Sequence, residues 1–282
     1  MIDLHCHSIF SDGTDTPEAL AELADAKGLT ALALTDHDSI QGLPRFLASQ
    51  VRTQARLVPG LELSCRFLAS EIHILGLFID PGDPRLQERI EEMRHRREER
   101  NARMIERLRA MNIPITWVEI AAVAPTKLLS RSHFAKALIK RGVAGSRQEV
   151  FARLIGEDCP GYVPFRTLTP AEACGWITEA GGVTVVAHPG RSTPRSFRWE
   201  NAMGDLKAQG IVGFEAYYGE YSATEQQYFC NLARDLDMVP CGGSDYHGDS
   251  KPGLSLGTGR GSLCVPDSVL EALEARRPGR RP

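Results

Sequence analysis

Short runs of apolar residues alternate along this chain with longer segments in which apolar residues recur every three or four positions. Runs of the first kind are typical of buried β-strands, and segments of the second kind are typical of amphipathic helices. The alternation therefore predicts repeated βα units, which build a parallel sheet or barrel. Seven strands are predicted, at residues 2–7, 29–35, 57–63, 72–78, 183–187, 210–217 and 238–242.

Two of the intervening helices have recognisable ends. Thr16-Pro17 fits an N-cap followed by proline at the first helical position, and Gly28 marks the point where that helix should stop. Thr169 and Glu172 have the spacing of a capping box and should begin a second helix. These signals support helices between the predicted strands.

The alternation of strand and helix patterns stops between residues 79 and 165. Residues 84–112 form one long helical pattern rich in Arg and Glu, and shorter helical segments are predicted around 133–140 and 147–154. The Arg and Glu residues are interpreted as a solvated face with intrahelical ion pairs, and a nucleic-acid patch is the alternative. We therefore predict a barrel domain of residues 1–79 and 166–282, with a helical insertion of residues 80–165 that acts as a lid or cap.

Composition narrows the class of protein. The 282 residues carry a net charge of -3, which argues against a chain coated with basic residues for nucleic acid, so no stable DNA complex is expected. Seven scattered cysteines without a Cys-x-x-Cys pair argue against a disulfide framework. The start of the chain lacks a signal-peptide pattern, and no apolar run approaches the roughly 20 residues of a membrane span. A cytoplasmic protein without a membrane partner is expected.

Histidines and carboxylates are concentrated at the C-terminal ends of the predicted strands, which in a parallel barrel converge on one rim. His5 and His7 are two residues apart and should share one face of a strand, and the same spacing recurs in Asp245-x-His247. His73 differs, because it lies near the start of its run. The candidate ligands are His5, His7, Asp12, His37, Glu62, His73, His188, Asp245 and His247.

The ligand types indicate the chemistry. Histidine with Asp and Glu, and without Cys, is typical of hydrolytic Zn, Mn or Fe sites that activate a bound water. Each residue alone could be an ordinary hydrogen-bonded group, but so many at strand ends are not expected without a metal. Asp3, Asp36 and Asp38 are predicted to orient the histidines.

The chain resembles the PHP (polymerase and histidinol phosphatase) family over nearly its whole length. The matching motifs are Asp3-Leu4-His5-Cys6-His7-Ser8, Thr35-Asp36-His37-Asp38, Gly60-Leu61-Glu62, His73, Ala187-His188-Pro189 and Ser244-Asp245-Tyr246-His247. The helical insertion and two further motifs narrow the resemblance to the branch of 3′,5′-nucleoside bisphosphate phosphatases and 5′-to-3′ exoribonucleases of the RNase AM type. These motifs are Ser130-Arg131-Ser132-His133-Phe134-Ala135 and His188-Pro189-Gly190-Arg191.

The resemblance implies an α/β fold, a distorted (β/α)7 barrel, that holds two or three divalent ions. Manganese is the preferred metal, with zinc and iron as alternatives. Carried over by position, it implies one ion on His5, His7, Glu62 and Asp245, a second on Glu62, His73 and His188, and a third on Asp12, His37 and His247. His133 is the alternative to His188, which we prefer because it follows a predicted strand.

The expected reaction is metal-assisted hydrolysis of a phosphoester. Asp245 is expected to accept the proton of the attacking water, and His133 to protonate the leaving oxygen. His133 lies near a predicted helix N-terminus, which favours phosphate. The expected substrate-binding residues are Arg131, His133, Arg191 and Lys127, with Lys251 a weaker candidate and an ordinary surface arginine the alternative for Arg131.

The preferred substrate is a nucleoside 3′,5′-bisphosphate such as pAp, cleaved to the 5′-monophosphate, because the near-neutral chain favours a small substrate over RNA. A short 5′-phosphorylated RNA contains the same type of bond and is the close alternative. Histidinol phosphate is the competing substrate within the family. A noncatalytic metal-binding PHP module, structural or for interaction, is the alternative of another class, and the complete set of ligands argues against it.

Overall fold

A computed structural model describes residues 1–68, 70–124, 129–192 and 197–279. The chain divides into two compact units, Met1–Glu88 with Thr167–Pro282 and, between them in sequence, Arg89–Arg166. We call them the barrel unit and the helical unit. The helical unit covers most of the predicted insertion, and its action as a lid stays a prediction.

The barrel unit contains a seven-stranded sheet in which neighbours in sequence are neighbours in space. Its strands are β1 (Ile2–Asp3), β2 (Ala31–Leu34), β3 (Arg56–Phe67), β4 (Ser70–Leu77), β5 (Val183–Ala187), β6 (Gly213–Tyr218) and β7 (Val239–Gly243). Leu4 donates its N–H to Gly242 O at 3.2 Å, and Asp245 donates to His5 O at 2.9 Å. These bonds join the first and last strands, so the fold is the distorted barrel expected, and the seven predicted strands are present.

The predicted parallel sheet is wrong in one respect, because β4 runs antiparallel to both β3 and β5. Phe67 ends β3 and Ser70 begins β4, so only Leu68 and residue 69 connect them. A connection this short can form a hairpin but not the crossover that a parallel pair needs. β4 therefore begins at the rim where β3 and β5 end. His73, near the start of β4, pairs with Ala187, the last residue of β5. This explains why His73 lies near the start of its run.

The helices between the strands begin as the sequence predicts where a cap signal is present. Thr16 Oγ1 accepts the N–H of Ala19 at 3.2 Å, and Gly28 follows that helix at a φ of +65°. Thr169 and Glu172 form the predicted capping box. The helices of the barrel unit are α1 (Pro17–Ala26), α2 (Leu43–Ala48), α7 (Pro170–Glu179), α8 (Pro189–Ser192), α9 (Trp199–Ala208), α10 (Ala223–Asp235) and α11 (Ser268–Glu274).

The long helical pattern is confirmed as α3 (Pro84–Ala110), which ends two residues earlier than predicted. The helical unit continues with α4 (Trp117–Ala121), α5 (Arg131–Lys140), α6 (Arg147–Val150) and a π-helical turn over Phe151–Ile155. Residues of these elements share a core of their own, which includes Met104, Leu108, Phe134 and Leu138.

The core of the barrel unit explains why its strands are short apolar runs. Every residue of β2 and of β5 is buried, as expected for strands covered on both faces. The buried cluster includes Ile2, Ala33 and Val185, and Leu273 of α11 belongs to it. Among the described residues, no helix is long and apolar enough to cross a membrane.

Candidate metal centre

The rim of the barrel holds the candidate ligands because the strand ladder continues past the regular strands. A parallel bridge joins Cys6 to Tyr246, and another joins His37 to Glu62. Cys6 is fully buried and its thiol donates to Ala33 O at 3.2 Å, so it points away from the two histidines beside it, as predicted. Backbone pairing therefore fixes His37, Glu62 and the residues beside Cys6 and Tyr246 at the ends of strands.

Glu62 lies at the middle of the site and is fully buried. One of its oxygens, Oε1, lies 2.9 Å from His73 Nδ1 and 3.0 Å from His188 Nε2. The other, Oε2, lies 3.0 Å from His37 Nδ1, 3.2 Å from His7 Nε2 and 3.3 Å from His5 Nε2. One carboxylate thus contacts five imidazoles.

The structure brings all nine candidates together. Their ligand atoms form overlapping groups in which every pair lies within 4.8 Å: His7, Asp12, His37 and His247; His5, His7 and Asp245; His5, Glu62 and His188; and His37, Glu62 and His73. These groups differ in detail from the expected ion assignments, because His7 also lies beside Asp12 and because His37 contacts Glu62 as well as Asp12.

The arrangement fits divalent cations. His5 Nε2 and His7 Nε2 face each other at 3.0 Å, and Asp245 Oδ1 lies 3.5 Å and 3.3 Å from them. Imidazole lone pairs and carboxylate oxygens that converge in this way are the donors that Zn, Mn or Fe use in hydrolytic sites. No cysteine belongs to these groups of described residues, which is also typical of such sites.

The carboxylates of the site raise the pKa values of two neighbouring histidines, and the histidines lower the pKa of Glu62. Burial opposes the charged form of His7, but hydrogen bonds with Asp245 and Glu62 prevail and raise its pKa to about 9. Burial likewise opposes charge on His73, and Glu62 raises the pKa of that histidine to about 10. Burial also disfavours charge on Glu62, but the charges of His37 and His5 hold its pKa well below the usual range. Metal binding must therefore displace protons from these histidines.

Glu215 is a functional candidate that the sequence reasoning missed. It is fully buried in β6, with Oε1 3.0 Å from His5 Nδ1 and Oε2 accepting the N–H of His188 at 2.7 Å. The first contact leaves His5 Nε2 directed at the site, and the second holds His188 at a φ of +30°, which is uncommon for a residue other than glycine. The available signal was a carboxylate inside the apolar run of β6.

Asp3, Asp36 and Asp38 are predicted to orient the histidines, and in the structure Asp3 Oδ1 accepts the backbone N–H of His5 at 3.3 Å. Asp3 Oδ1 also accepts from the backbone of Ser244 at 2.9 Å, and Asp38 Oδ1 accepts from the backbone of Ser64 at 3.0 Å. These two carboxylates therefore bond to backbone N–H groups of segments around the site.

Asp36 acts on a histidine through an intermediate. It accepts from Ser11 Oγ at 2.6 Å, and Ser11 Oγ lies 3.3 Å from His7 Nδ1. Asp36 therefore helps to position the ring of His7 through Ser11.

Asp245 has a second set of contacts on the side away from the imidazoles. Its Oδ2 accepts from Tyr218 OH at 2.7 Å and from Lys251 Nζ at 2.5 Å. Burial would raise the pKa of Asp245, but the charges of His5 and Lys251 hold it well below its usual range. The sequence reasoning missed Tyr218 and placed Lys251 among the weaker candidates.

A cavity of about 470 Å³ opens over the site. Its lining combines ligand candidates with cations and carboxylates at the wall: Asp12, His37, Glu71, His73, His188, Arg191, Tyr218, Glu220, Asp245, His247 and Lys251. Arg191 reaches the cavity from α8, and its guanidinium donates to Glu225 Oε1 and to Glu220 O, both at 2.6 Å. A polyanionic substrate would therefore meet two cations at the wall.

The other predicted substrate residues belong to the helical unit. Arg131 begins α5, and its guanidinium lies over the ring of Tyr162 at 5.6 Å. His133 lies in the first turn of the same helix, as predicted, and its Nδ1 accepts the N–H of Ser130 at 3.0 Å. Lys127 lies outside the described residues.

Comparison with known proteins decides the family. The model of the PHP domain matches residues 3–113. The 3′,5′-nucleoside bisphosphate phosphatase of Chromobacterium violaceum is 32% identical over 281 residues, which cover 98% of this chain and 97% of that protein. This chain belongs to the PHP family. The resemblance seen in the sequence motifs is thereby confirmed.

Two further relatives of this PHP protein agree with that assignment. The 5′-3′ exoribonuclease Rnm of Escherichia coli is 33% identical over 258 residues, covering 90% of this chain and 87% of that enzyme. A crystal structure of a protein from Bifidobacterium adolescentis, described as a metal-dependent phosphoesterase, superposes with a TM-score of 0.78 at 29% identity, over 98% of this chain and 96% of that one. The protein is a metal-dependent phosphoesterase, with His, Asp and Glu clusters able to bind metal ions.

Replacing the buried carboxylate of Glu215 should weaken the metal centre without removing a ligand. We expect Glu215→Gln to lower metal affinity by about 10- to 100-fold, the usual effect of losing the partner of a ligating histidine. Calorimetric titration of the chelated protein with Mn²⁺ measures this, and Glu22→Gln, at an exposed position of α1, is the control. An unchanged affinity for Glu215→Gln would show that His5 does not need this partner.

Proposed function

We propose that this PHP protein hydrolyses the 3′-phosphate of nucleoside 3′,5′-bisphosphates such as pAp and leaves the 5′-monophosphate. The main support for the proposal is the cavity of about 470 Å³ over the site. Arg191 and Lys251 lie at its wall, beside the clustered histidines. A substrate with two phosphates needs cations beyond those that contact the scissile group. The likeness to the bisphosphate phosphatase of C. violaceum, which extends over 98% of the chain, supports the same substrate class.

Two or three divalent ions, with manganese preferred, are part of the proposal. Their ligands would be His5, His7, Glu62 and Asp245 for one ion, Glu62, His73 and His188 for a second, and Asp12, His37 and His247 for a third. Bound ions of this kind lower the pKa of water and offset the negative charge of the phosphoryl group. Glu62 is suited to lie between two ions, because each of its oxygens faces a different set of imidazoles.

The protein side chains would orient the substrate and move protons. Lys251 would contact a phosphoryl oxygen, because its Nζ is already held at the cavity wall by Asp245. Asp245 would accept a proton from the attacking water. Protonation of the leaving oxygen by His133 stays a prediction. Arg131, Arg191 and Lys127 stay the proposed phosphate contacts.

Hydrolysis of RNA from its 5′ end is the second candidate function. This reaction breaks the same bond, between the 3′ oxygen and the phosphorus, in a nucleotide that carries a 5′-phosphate. In RNA the 3′-phosphate is also joined to the rest of the nucleotide chain, where pAp has only a hydrogen. The likeness to Rnm over 90% of the chain favours it. Histidinol phosphate is the competing small substrate, and a metal-binding module without activity is the competing class of protein.

A panel of substrates tests the proposal. The Mn²⁺-loaded protein is incubated with pAp, histidinol phosphate, 5′-phosphorylated dinucleotides and a generic phosphate monoester, and released phosphate or nucleotide is measured. We expect pAp to have the highest kcat/KM and its product to keep the 5′-phosphate. If pAp reacts no faster than the generic monoester, the proposed substrate is wrong. If no compound reacts although the metal content is full, the noncatalytic module is supported.

A further inference from the structure

The two units of the chain have opposite net charges, although the whole protein is almost neutral. With histidines neutral, residues 89–166 contain 16 Lys and Arg against 9 Asp and Glu, a net charge of +7. The barrel unit contains 17 against 27, a net charge of -10. The small net charge of the whole chain is therefore the sum of a basic helical unit and an acidic barrel unit. A strong charge asymmetry of this kind is typical of chains that contact polyanions.

Part of the basic charge is paired along α3, as the sequence analysis expected. Arg94 pairs with Glu91 and Glu98, and Arg96 pairs with Glu92 at 2.5 Å. These groups are substantially exposed to water, so the pairs stabilise the helix only slightly and leave the arginines able to exchange partners. The ion pairs therefore do not account for the excess of positive charge.

Arginines converge on one cleft of the helical unit. The cleft has a volume of about 130 Å³ and is lined by Arg96, Glu99, Arg100, Arg103, Val163, Pro164, Phe165 and Arg166. Four guanidinium groups thus face one carboxylate. Arg96, Arg100 and Arg103 can share a wall of the cleft because residues three and four apart lie on the same face of α3.

Phe165 contacts one of these guanidinium groups, that of Arg100, and also the guanidinium of the neighbouring Arg97. The guanidinium carbons of Arg97 and Arg100 lie 5.5 Å and 5.3 Å from the centre of its ring. Stacking of this kind holds a planar guanidinium by its face. Arg100 is only 7% exposed, so its charge acts where water screens it poorly.

From this cleft we infer a binding site for the phosphate backbone of single-stranded RNA. A guanidinium fork matches the two oxygens of a phosphodiester, and several arginines along one helix face can follow successive phosphates. The inference rests on the proposed function and deepens it, because a 5′-phosphorylated RNA substrate would gain a contact to its phosphodiester backbone, which pAp lacks. The cleft would select for chain length and would leave the chemical step unchanged.

The test removes two exposed charges from the cleft. Arg96→Gln and Arg103→Gln are combined in a Glu62→Gln background, which should bind but not cleave, and binding of a fluorescent 5′-phosphorylated oligoadenylate of about ten nucleotides is followed by anisotropy at several salt concentrations. We expect the affinity to fall about tenfold and the log-log salt slope to fall by about 1.4, or about 0.7 for each lost phosphate contact. In the protein with Glu62 intact, kcat/KM for pAp should stay the same.

A matched control removes the same charge from the same unit. Arg94→Gln with Arg153→Gln lowers the net charge of the helical unit by two at positions outside the cleft lining. If this control weakens RNA binding as much as the cleft variant does, general electrostatics explains the binding and the inference is overturned. Displacement of the RNA by polyglutamate as readily as by unlabelled RNA would also overturn it, because the cleft would then not select for phosphate.

The outcome can be separated from that of the proposed function. If the protein hydrolyses neither pAp nor RNA, but the cleft variant alone loses affinity and salt dependence, the proposed function fails and the RNA site stands. If pAp is hydrolysed and the cleft variant binds RNA as the parent does, the proposed function stands and the inference fails.

Discussion

Glu62→Gln should abolish hydrolysis and remove at least one metal ion. The amide keeps the size of the side chain but loses its charge, and its NH₂ group would face imidazole nitrogens that lie 2.9 to 3.3 Å from the carboxylate. With five imidazoles around one carboxylate, this single change disturbs five candidate ligands. We expect kcat/KM to fall on the order of 10³-fold or more, the scale seen when a principal electrostatic stabiliser is lost.

The measurement pairs activity with metal content. Phosphate release from pAp is compared with the number of Mn²⁺ ions per chain, and circular dichroism reports whether the variant folds. Glu271→Gln makes the same chemical change at an exposed position of α11 and should leave both values as they are. A Glu62→Gln protein with full metal content and activity within tenfold of the parent would show that Glu62 does not lie between the ions.

The positions of the strands could be predicted from the sequence, but the direction of β4 could not. Apolar runs reveal burial, and burial is the same for a parallel and an antiparallel strand. The direction follows from the length of the connection, because the two residues between Phe67 and Ser70 are too few for a crossover. His73 was the one candidate histidine near the start of its run, but this position alone did not give the direction of the strand.

The ligand candidates were readable because a metal site needs particular residue types at strand ends. Their supporting groups were harder to find, since a carboxylate inside an apolar run indicates burial but does not identify its partner. Glu215 contacts His5, which is 210 positions away, and Tyr218 contacts Asp245 from the neighbouring strand. Residues distant in sequence therefore support much of this site.

Removing the metal should abolish activity and make the stability of the protein depend on pH. In the metal-free protein His7 and His73 have pKa values of about 9 and about 10, against an ordinary value of 6.5. Between the ordinary and the raised values the folded state binds more protons than the unfolded state. Stability from this source is complete below about pH 6.5 and is lost as the pH rises towards the raised pKa values.

Metal binding should have the opposite pH dependence. The ions displace protons from these histidines, so they bind more tightly as the pH rises. We expect the Tm in chelator to fall from about pH 6.5 to about pH 8.5, and the gain in Tm on adding Mn²⁺ to grow over the same interval. Thermal unfolding at several pH values, with EDTA or with Mn²⁺, measures both. The Glu62→Gln protein is the internal comparison, since loss of that carboxylate lowers the histidine pKa values and should flatten the dependence. A gain that shrinks with rising pH would mean that the ions do not compete with protons for these histidines, and the proposed ligands would then be wrong.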